Sequence, residues 1–462
     1  MNIKMSEYLE KLKGKRIAVI GIGISNTPLI RFLLMNGCAV TACDRKPRSH
    51  FGGLADGFEE LGAELRLGED YLDGLDHDII FRTPGMRPDV PQLLEAASRG
   101  AEITSEMEAF FEVCPCNMVA VTGSDGKTTT TTIISELLKA SGRRVYLGGN
   151  IGAPLFSLAN SMEKDDWAVL ELSSFQLMTM KKSPHIAVVT NLSPNHLDYH
   201  RSMEEYIEAK ENIFLHQHGD DLLVLNACNE ITRSFKSKAP GRVSMFSIKG
   251  ALKEGVFFDG SAVYRAEGGR TREIIKAEDI RLPGLHNIEN FMAAFAAVGD
   301  IVGDDICRKV AMEFAGVEHR IEFVRTLRGV SYYNDSIASS PSRTIAGLRS
   351  FKKKVILIAG GYDKNISYDV LGPEIVRHVK TLVLTGKTAA KIRAATEKAP
   401  EYREGSPAIL EFDDFEEAVR AAASVAKEGD IVILSPASAS FDRFKNFEER
   451  GETFKKIVNE LE

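Results

Sequence analysis

The 462-residue chain has a single tryptophan, six scattered cysteines, and no apolar run approaching the ~20 residues that a membrane-spanning helix needs. No Cys-x-x-Cys pair or histidine-rich tract completes a zinc pattern, and the closest cysteines, Cys114 and Cys116, flank Pro115. Thiols scattered in this way fit a reducing, cytoplasmic setting. A basic surplus is also missing. The 58 Lys and Arg against 65 Asp and Glu leave a formal charge of -7, which argues against a nucleic-acid partner. Internal repeats and low-complexity segments are absent. The opening 15 residues are polar and read as an amphipathic helix rather than a signal peptide.

What is present is the composition of a globular enzyme, 44% hydrophobic and 27% charged, in a chain long enough for about three domains. Short β-branched runs alternate with helical stretches, the pattern of α/β layers built on largely parallel sheets. Strands are expected over 15–21, 39–44 and 79–82, with helices over 26–35 and 90–98. This first unit should close near residue 112, ahead of the Cys114-Pro115-Cys116 breaker. A second unit should open with strand 117–122, a glycine loop and a helix over 127–140. Strands 168–171 and 186–191 and a helix over 203–215 follow. Residues 242–275 read as a small antiparallel addition, and helices over 288–302 and 305–314 finish the unit. The third unit resumes the alternation, with strands 354–359, 381–384 and 431–434 and a terminal helix over 442–461.

The segment Gly123-Ser124-Asp125-Gly126-Lys127-Thr128-Thr129 carries the most chemistry. A strand, a glycine turn and a helix in succession aim backbone N–H groups and the positive helix end at an anion. Lys127 would neutralise β/γ-phosphate charge, and the Thr128 hydroxyl would hold Mg²⁺. The general phosphate loop has a further glycine where this chain has Val121, so the match is to a shorter form, Gly123-x-x-Gly126-Lys127-Thr128. The bland alternative is an ordinary turn with a surface lysine and threonine. Glu171 ends an apolar strand, so its carboxylate should emerge at the sheet edge where α/β ligands bind, unless it merely caps the next helix.

Further motifs follow in a fixed order: Gly148-Gly149-Asn150-Ile151-Gly152, Glu171 to Gln176, Asn191 to Asp198, Gly284 to Asn287 with Asn290, and His319-Arg320. In this order they resemble the Mur ligases, and the likeness covers essentially the whole chain. It implies a Rossmann-like N-terminal domain over 1–112 for the UDP moiety of the substrate. A P-loop-type central ATPase domain over 113–316 and an α/β, Rossmann-like C-terminal domain over 317–462 for the amino acid follow from it as well. It also implies ATP and two magnesium ions, with Thr128 and Glu171 at the first, His196 at the second, and Asp198 behind it. Lys210 resembles the lysine that reacts with CO₂ to give a metal-holding carbamate, although alone it would pass for a surface helix residue. Asn287 and Asn290 share a helix face. By resemblance Asn290 is the likelier contact to adenine, while Arg320 and Asp335 reach phosphate and ribose; taken alone, the asparagines equally suit helix capping.

Within the family, the stretch from Ser435 to Gly451 looks like the D-glutamate-adding member. Ser440, Phe441 and Phe447 would then surround the glutamate side-chain carboxylate and Lys364 would pair with a carboxylate, the phenylalanines otherwise being core packing. Ser339 keeps a hydroxyl where threonine is common. Ile337 stands where the family has lysine, and Arg343 is the candidate replacement cation. Gly21-Ile22-Gly23-Ile24-Ser25-Asn26, with Asp44 downstream, resembles a dinucleotide fingerprint whose third glycine is Asn26, a change that weakens helix–strand packing. An NAD-dependent oxidoreductase is thus one rival, and a Mur ligase for another amino acid is a second. The family uses this fold for uridine, which makes Ile24, Ser25, Asp44 and Arg45 candidates there. Thr83 and Gly85 would lie near the diphosphate, with Asn150 and Ser173 nearer the reacting end. The implied reaction joins D-glutamate to UDP-N-acetylmuramoyl-L-alanine through an acyl phosphate, in a monomer.

Overall fold

The computed structural model describes residues 2–196, 199–282, 284–363 and 366–462, so Asp198 and Lys364 lie outside the described residues. The chain divides into two compact units, Met1–Phe314 and Ala315–Glu462.

The first unit holds two sheets. β1 (Arg16–Ile20), β2 (Ala39–Asp44), β3 (Glu64–Leu67), β4 (Ile79–Phe81) and β5 (Glu102–Thr104) run parallel in the order β3-β2-β1-β4-β5. Central β1 is apolar and buried from Ile17 to Ile20, as a strand covered on both faces must be. The second sheet contains β6 (Asn117–Thr122), β7 (Val145–Gly149), β8 (Trp167–Glu171), β9 (Ile186–Val189) and β10 (Leu222–Asn226). It continues through β11 (Arg242–Ser247), β12 (Gly255–Phe258), β13 (Ala262–Glu267) and β14 (Arg270–Lys276). Its order is β14-β13-β12-β11-β10-β9-β6-β8-β7. β6 therefore lies between β8 and β9, where the direction of winding changes and α/β ligands bind. The expected antiparallel addition is an extension of this sheet: β11 pairs in parallel with β10 and β12, and only β12 to β14 are antiparallel. One apolar cluster joins the two sheets, with Ile17 and Phe81 from the first, Ala120 and Leu170 from the second, and Phe110 and Cys116 from the connection.

The second unit is one sheet of β15 (Glu322–Leu327), β16 (Val330–Asn334), β17 (Val355–Ala359), β18 (Val379–Thr385), β19 (Ala408–Phe412) and β20 (Ile431–Leu434). Its order is β15-β16-β20-β17-β18-β19, with only β15 antiparallel. Alternate residues of β17 serve opposite cores, Val355 and Leu357 on one side and Ile356 and Ile358 on the other. The terminal helix spans Phe447–Glu460 and begins later than the sequence pattern implied. Asn446 caps it, its side chain accepting from Glu449 N–H at 2.9 Å, which leaves Phe441 in a loop.

Asn26 accounts for the broken glycine fingerprint. The residue is buried at the start of helix Asn26–Met35, and its Nδ2 donates to the Ile20 and Gly21 carbonyls at 3.0 and 3.1 Å. A side-chain tie thus replaces the close approach that glycine would permit. Asn26→Ala is expected to destabilise the first unit by about 1 kcal/mol, the loss being limited because Asn26 Oδ1 already lacks a partner. Urea unfolding of the two proteins measures the difference.

Candidate functional site

The glycine turn between β6 and helix Lys127–Ala140 is built from the contacts around it. Gly123 has φ +151°, and a Cβ there would stand 1.9 Å from Thr190 Oγ1. Gly126 has φ +77°, and a Cβ there would meet Asn290 Oδ1 at 2.3 Å. Only glycine satisfies both the backbone angle and the space. The segment after β9 holds the turn in place. Ser124 N–H donates to Asn191 O at 2.8 Å, Asp125 N–H to Asn191 Oδ1 at 3.0 Å, and the Thr190 hydroxyl to Asp125 O at 2.6 Å. Lys127 folds back over the turn, its ammonium donating to the Gly123 and Ser124 carbonyls at 3.1 Å each. The N-terminal end of a 14-residue helix, with Thr128 and Thr129 in its first turn, faces this loop.

Beside the turn, oxygen and nitrogen donors converge at the ends of β6 and β8. The Thr128 hydroxyl donates to Glu171 Oε2 at 2.7 Å, and Asn150 Nδ2 donates to Glu171 Oε1 at 2.8 Å. Glu171 is buried and does not cap the following helix. Ser173 does that, in a reciprocal box with Gln176. Lys210, on helix Met203–Glu211, is only 2% exposed, and the surface reading of this residue fails. Its Nζ donates to Thr122 Oγ1 at 2.9 Å and sits 5.0 Å from the Tyr206 ring centroid. Burial pushes its amine well below the ordinary lysine range, the nearby Lys127 charge adds to this, and Glu171 opposes it. His196 is exposed in the loop after β9, with φ +55° and its ring 5.0 Å from that of Phe175. The adjacent His200 is buried, bonds Ser174 Oγ through Nε2 at 2.8 Å, and is lowered in basicity by its burial.

A cavity of about 210 Å³ adjoins the turn, lined by Asn226, Phe246, His286, Glu289 and Asn290 together with the loop itself. The Asn290 side chain is committed to structure, accepting from Thr130 Oγ1 at 3.3 Å and donating to Asn287 Oδ1 at 3.3 Å. Sequence reading missed Asn226, Phe246 and Glu289. The last lies between the two named asparagines on helix Leu285–Val298 and was the one within reach of pattern reasoning. Burial raises the Glu289 carboxyl above its ordinary range.

In the first sheet, Asp44 Oδ2 accepts from Ile22 N–H at 2.7 Å, so the carboxylate closes the Gly21–Ile24 turn. Thr83 packs against Gly21, where a Cβ would lie 3.0 Å away, while Ile24, Arg45 and Gly85 are exposed and Ser25 is half-buried.

In the second unit, Asp335 is buried. It accepts from Ser435 Oγ at 2.7 Å and Ile321 N–H at 3.3 Å, and burial lifts its carboxyl to about 7. Arg320 is exposed. Arg343 donates to the Ile337 carbonyl at 3.2 Å. Ser339 is half-buried, Ser440 is buried, Phe441 is 62% exposed beside Tyr362, and Phe447 meets the His319 ring at 5.9 Å. Phe441 is therefore not core packing, while Phe447 is half-buried. Glu318, His319 and Glu452 also cluster, but the Lys455 ammonium lies 2.8 Å from Glu318 and 2.7 Å from Glu452, making this an ion-pair network.

Two outcomes check this geometry. Gly126→Ala should abolish detectable ATP binding in equilibrium dialysis while the second unit stays folded. For Lys210, the depressed folded pKa means the unfolded chain binds a proton that the native chain releases. The resulting destabilisation vanishes above the unfolded value and grows as pH falls. Lys210→Met in CO₂-free buffer should therefore gain more stability over the parent at pH 7 than at pH 9, as read by denaturant unfolding.

Residues 121–298 match the Mur ligase middle domain, and residues 319–438 match the Mur ligase glutamate ligase domain. A protein of Acetivibrio thermocellus is 55% identical and one of Ruminiclostridium cellulolyticum 51% identical, each over 100% of both chains. Both are named UDP-N-acetylmuramoylalanine--D-glutamate ligase. A solved UDP-N-acetylmuramate-alanine ligase from Thermotoga maritima shares the fold, with a TM-score of 0.56 and 19% identity over 96% of this chain and 99% of that one. The chain belongs to the Mur ligase family.

Proposed function

We propose that this enzyme joins D-glutamate to UDP-N-acetylmuramoyl-L-alanine, splitting ATP to ADP and phosphate, as a step in peptidoglycan precursor synthesis. The full-length relatives support the substrate pair. The observation that carries the chemistry is the convergence of Lys127, the Thr128–Glu171 pair and buried Lys210 beside a turn in which only glycine fits.

The L-alanine carboxylate attacks the γ-phosphorus of ATP, giving an acyl phosphate and ADP. The D-glutamate amine then attacks the activated carbonyl, and phosphate leaves. The chain's task is to place charge and exclude water. Lys127 and the first helical turn hold the phosphates, and the cavity of Asn226, Phe246 and Glu289 accepts the base. Residues 1–112 hold the sugar nucleotide through the Gly21–Ile24 turn, Asp44, Arg45 and the Thr83–Gly85 loop. Residues 113–316 form the ATPase domain. Residues 317–462 bind D-glutamate through Ser339, Lys364, Ser440, Phe441 and Phe447.

Magnesium bound here would neutralise phosphate charge, and the residues suit it. Thr128 Oγ1 and Glu171 Oε2 are hard oxygen donors 2.7 Å apart, while Asn150 occupies the other carboxylate oxygen. His196 and a carbamate at Lys210 are assigned to a second ion. Burial that lowers the amine's pKa favours the free-amine nucleophile such a modification needs. Its lone pair adds to CO₂, an N–C bond forms and one proton is released. No described helix is long and apolar enough to cross a membrane, and a cytoplasmic monomer completes the reading.

Phosphate release from ATP should require UDP-N-acetylmuramoyl-L-alanine and D-glutamate together. Equal release with L-lysine would overturn the assignment. Protein equilibrated with ¹³C-bicarbonate should show one carbamate resonance that Lys210→Arg lacks, and an unchanged spectrum would remove the modification.

A further inference from the structure

Two arginines in the segment leaving β4 serve no step of the reaction above, yet both reach loops and helices that flank the second sheet. Arg82 is fully buried, and its guanidinium donates to Met86 O at 3.0 Å and Thr179 Oγ1 at 2.7 Å. Arg87 is the larger junction. Its Nε and Nη2 hold both Asp89 carboxylate oxygens at 2.9 Å. Nη2 and Nη1 also hold both Glu205 oxygens, at 2.8 and 3.1 Å, and Nη1 donates to Tyr199 O at 2.6 Å. Tyr199 returns the contact, its hydroxyl donating to Pro84 O at 3.3 Å, and Arg87 lies 5.5 Å from its ring centroid. Arg201 pairs with Asp89, and its N–H donates to Glu205 Oε2 at 2.7 Å. Paired donors on two carboxylates fix direction as well as distance, which an ammonium cannot do.

The network joins three pieces of the site. Thr83–Gly85 lies just before Arg87. His196 precedes Tyr199 in a loop whose rings pack on Phe175, with Tyr199 at 4.2 Å and His200 at 5.7 Å. Glu205 sits in the first turn of the helix that carries Tyr206 and Lys210. We infer that Arg87 is a positioning residue, setting the sugar-nucleotide loop, the His196 loop and the Lys210 helix at one fixed spacing. This rests on the roles proposed above for those three pieces. It makes a distinct demand: loss of Arg87 must disturb sugar-nucleotide affinity and metal response together, and leave ATP affinity alone.

The test is steady-state kinetics of the full-length enzyme with Arg87→Met, Arg87→Lys, Glu205→Gln and the Arg87→Met/Glu205→Gln pair. Arg87→Met should lower kcat by roughly 10- to 100-fold. It should raise both the KM for UDP-N-acetylmuramoyl-L-alanine and the Mg²⁺ concentration for half-activation, with ATP affinity by equilibrium dialysis within about twofold of the parent. Arg87→Lys should fall between, and the double variant should be no worse than Arg87→Met. A purely structural role would lower the melting temperature and the active fraction with both constants unchanged, and that result overturns the inference. If Arg87→Met does not fold, Arg87→Lys carries the same comparison. A parent enzyme without D-glutamate-dependent phosphate release brings down the functional reading and this inference with it. An active parent whose variants keep its constants brings down this inference alone.

Discussion

The site depends on a contact so close that side chains are excluded from it. At Gly123 and Gly126 the backbone approaches Thr190 and Asn290 to distances that leave no room for a Cβ. The turn can come this near because the segment after β9 satisfies its backbone, Asn191 accepting from the Ser124 and Asp125 N–H groups and Thr190 donating to the Asp125 carbonyl, while Asn290 accepts from Thr130 Oγ1. Lys127 and Thr128 then emerge at the start of a long helix, where its dipole favours an anion. Any loosening of this contact would move the lysine and the threonine together.

Burial sets the character of a second group beside the turn. Lys210 lies in an interior made by Tyr206, the end of β6 and the helix that carries it, and there a charged ammonium is disfavoured. Placing Lys127 nearby strengthens the effect, and Glu171 only partly opposes it. Lowering a lysine's pKa in this way favours the free amine, whereas the same lysine on a solvated helix face would stay protonated. The Thr128–Glu171–Asn150 chain shows the opposite design, in which a buried carboxylate is kept oriented by donors on both oxygens. Asp335 is a third case: buried with few donors, its carboxyl rises to about 7, and it ties the end of β16 to Ser435.

The two units present their candidate residues by the same route. In each, parallel strands end at one edge of a sheet, and short polar segments leave those ends. β6 and β8 deliver the phosphate loop and Glu171, while β16 and β20 deliver Asp335 and the Ser435–Ser440 segment. At the broken glycine fingerprint Asn26 ties helix to strand by its side chain, and in the second unit the Arg343 guanidinium bonds the Ile337 carbonyl.

Much of this was determined by local sequence alone. The strand–glycine–helix order of 117–140 and the apolar run ending in Glu171 come from hydrophobic periodicity and backbone freedom, which act over a few residues. So does the alternation of strands and helices in all three sheets. Other features needed the tertiary structure. The start of the last helix moved to Phe447 because Asn446 caps it, and residues 255–276 joined the central sheet because β11 pairs on both sides. Glu171's orientation, Lys210's burial, Glu289's place in the cavity and Arg87's grip on Glu205 all depend on side chains far apart in the chain. Local pattern cannot specify them, because charge, solvation and hydrogen-bond partners are properties of the assembled neighbourhood.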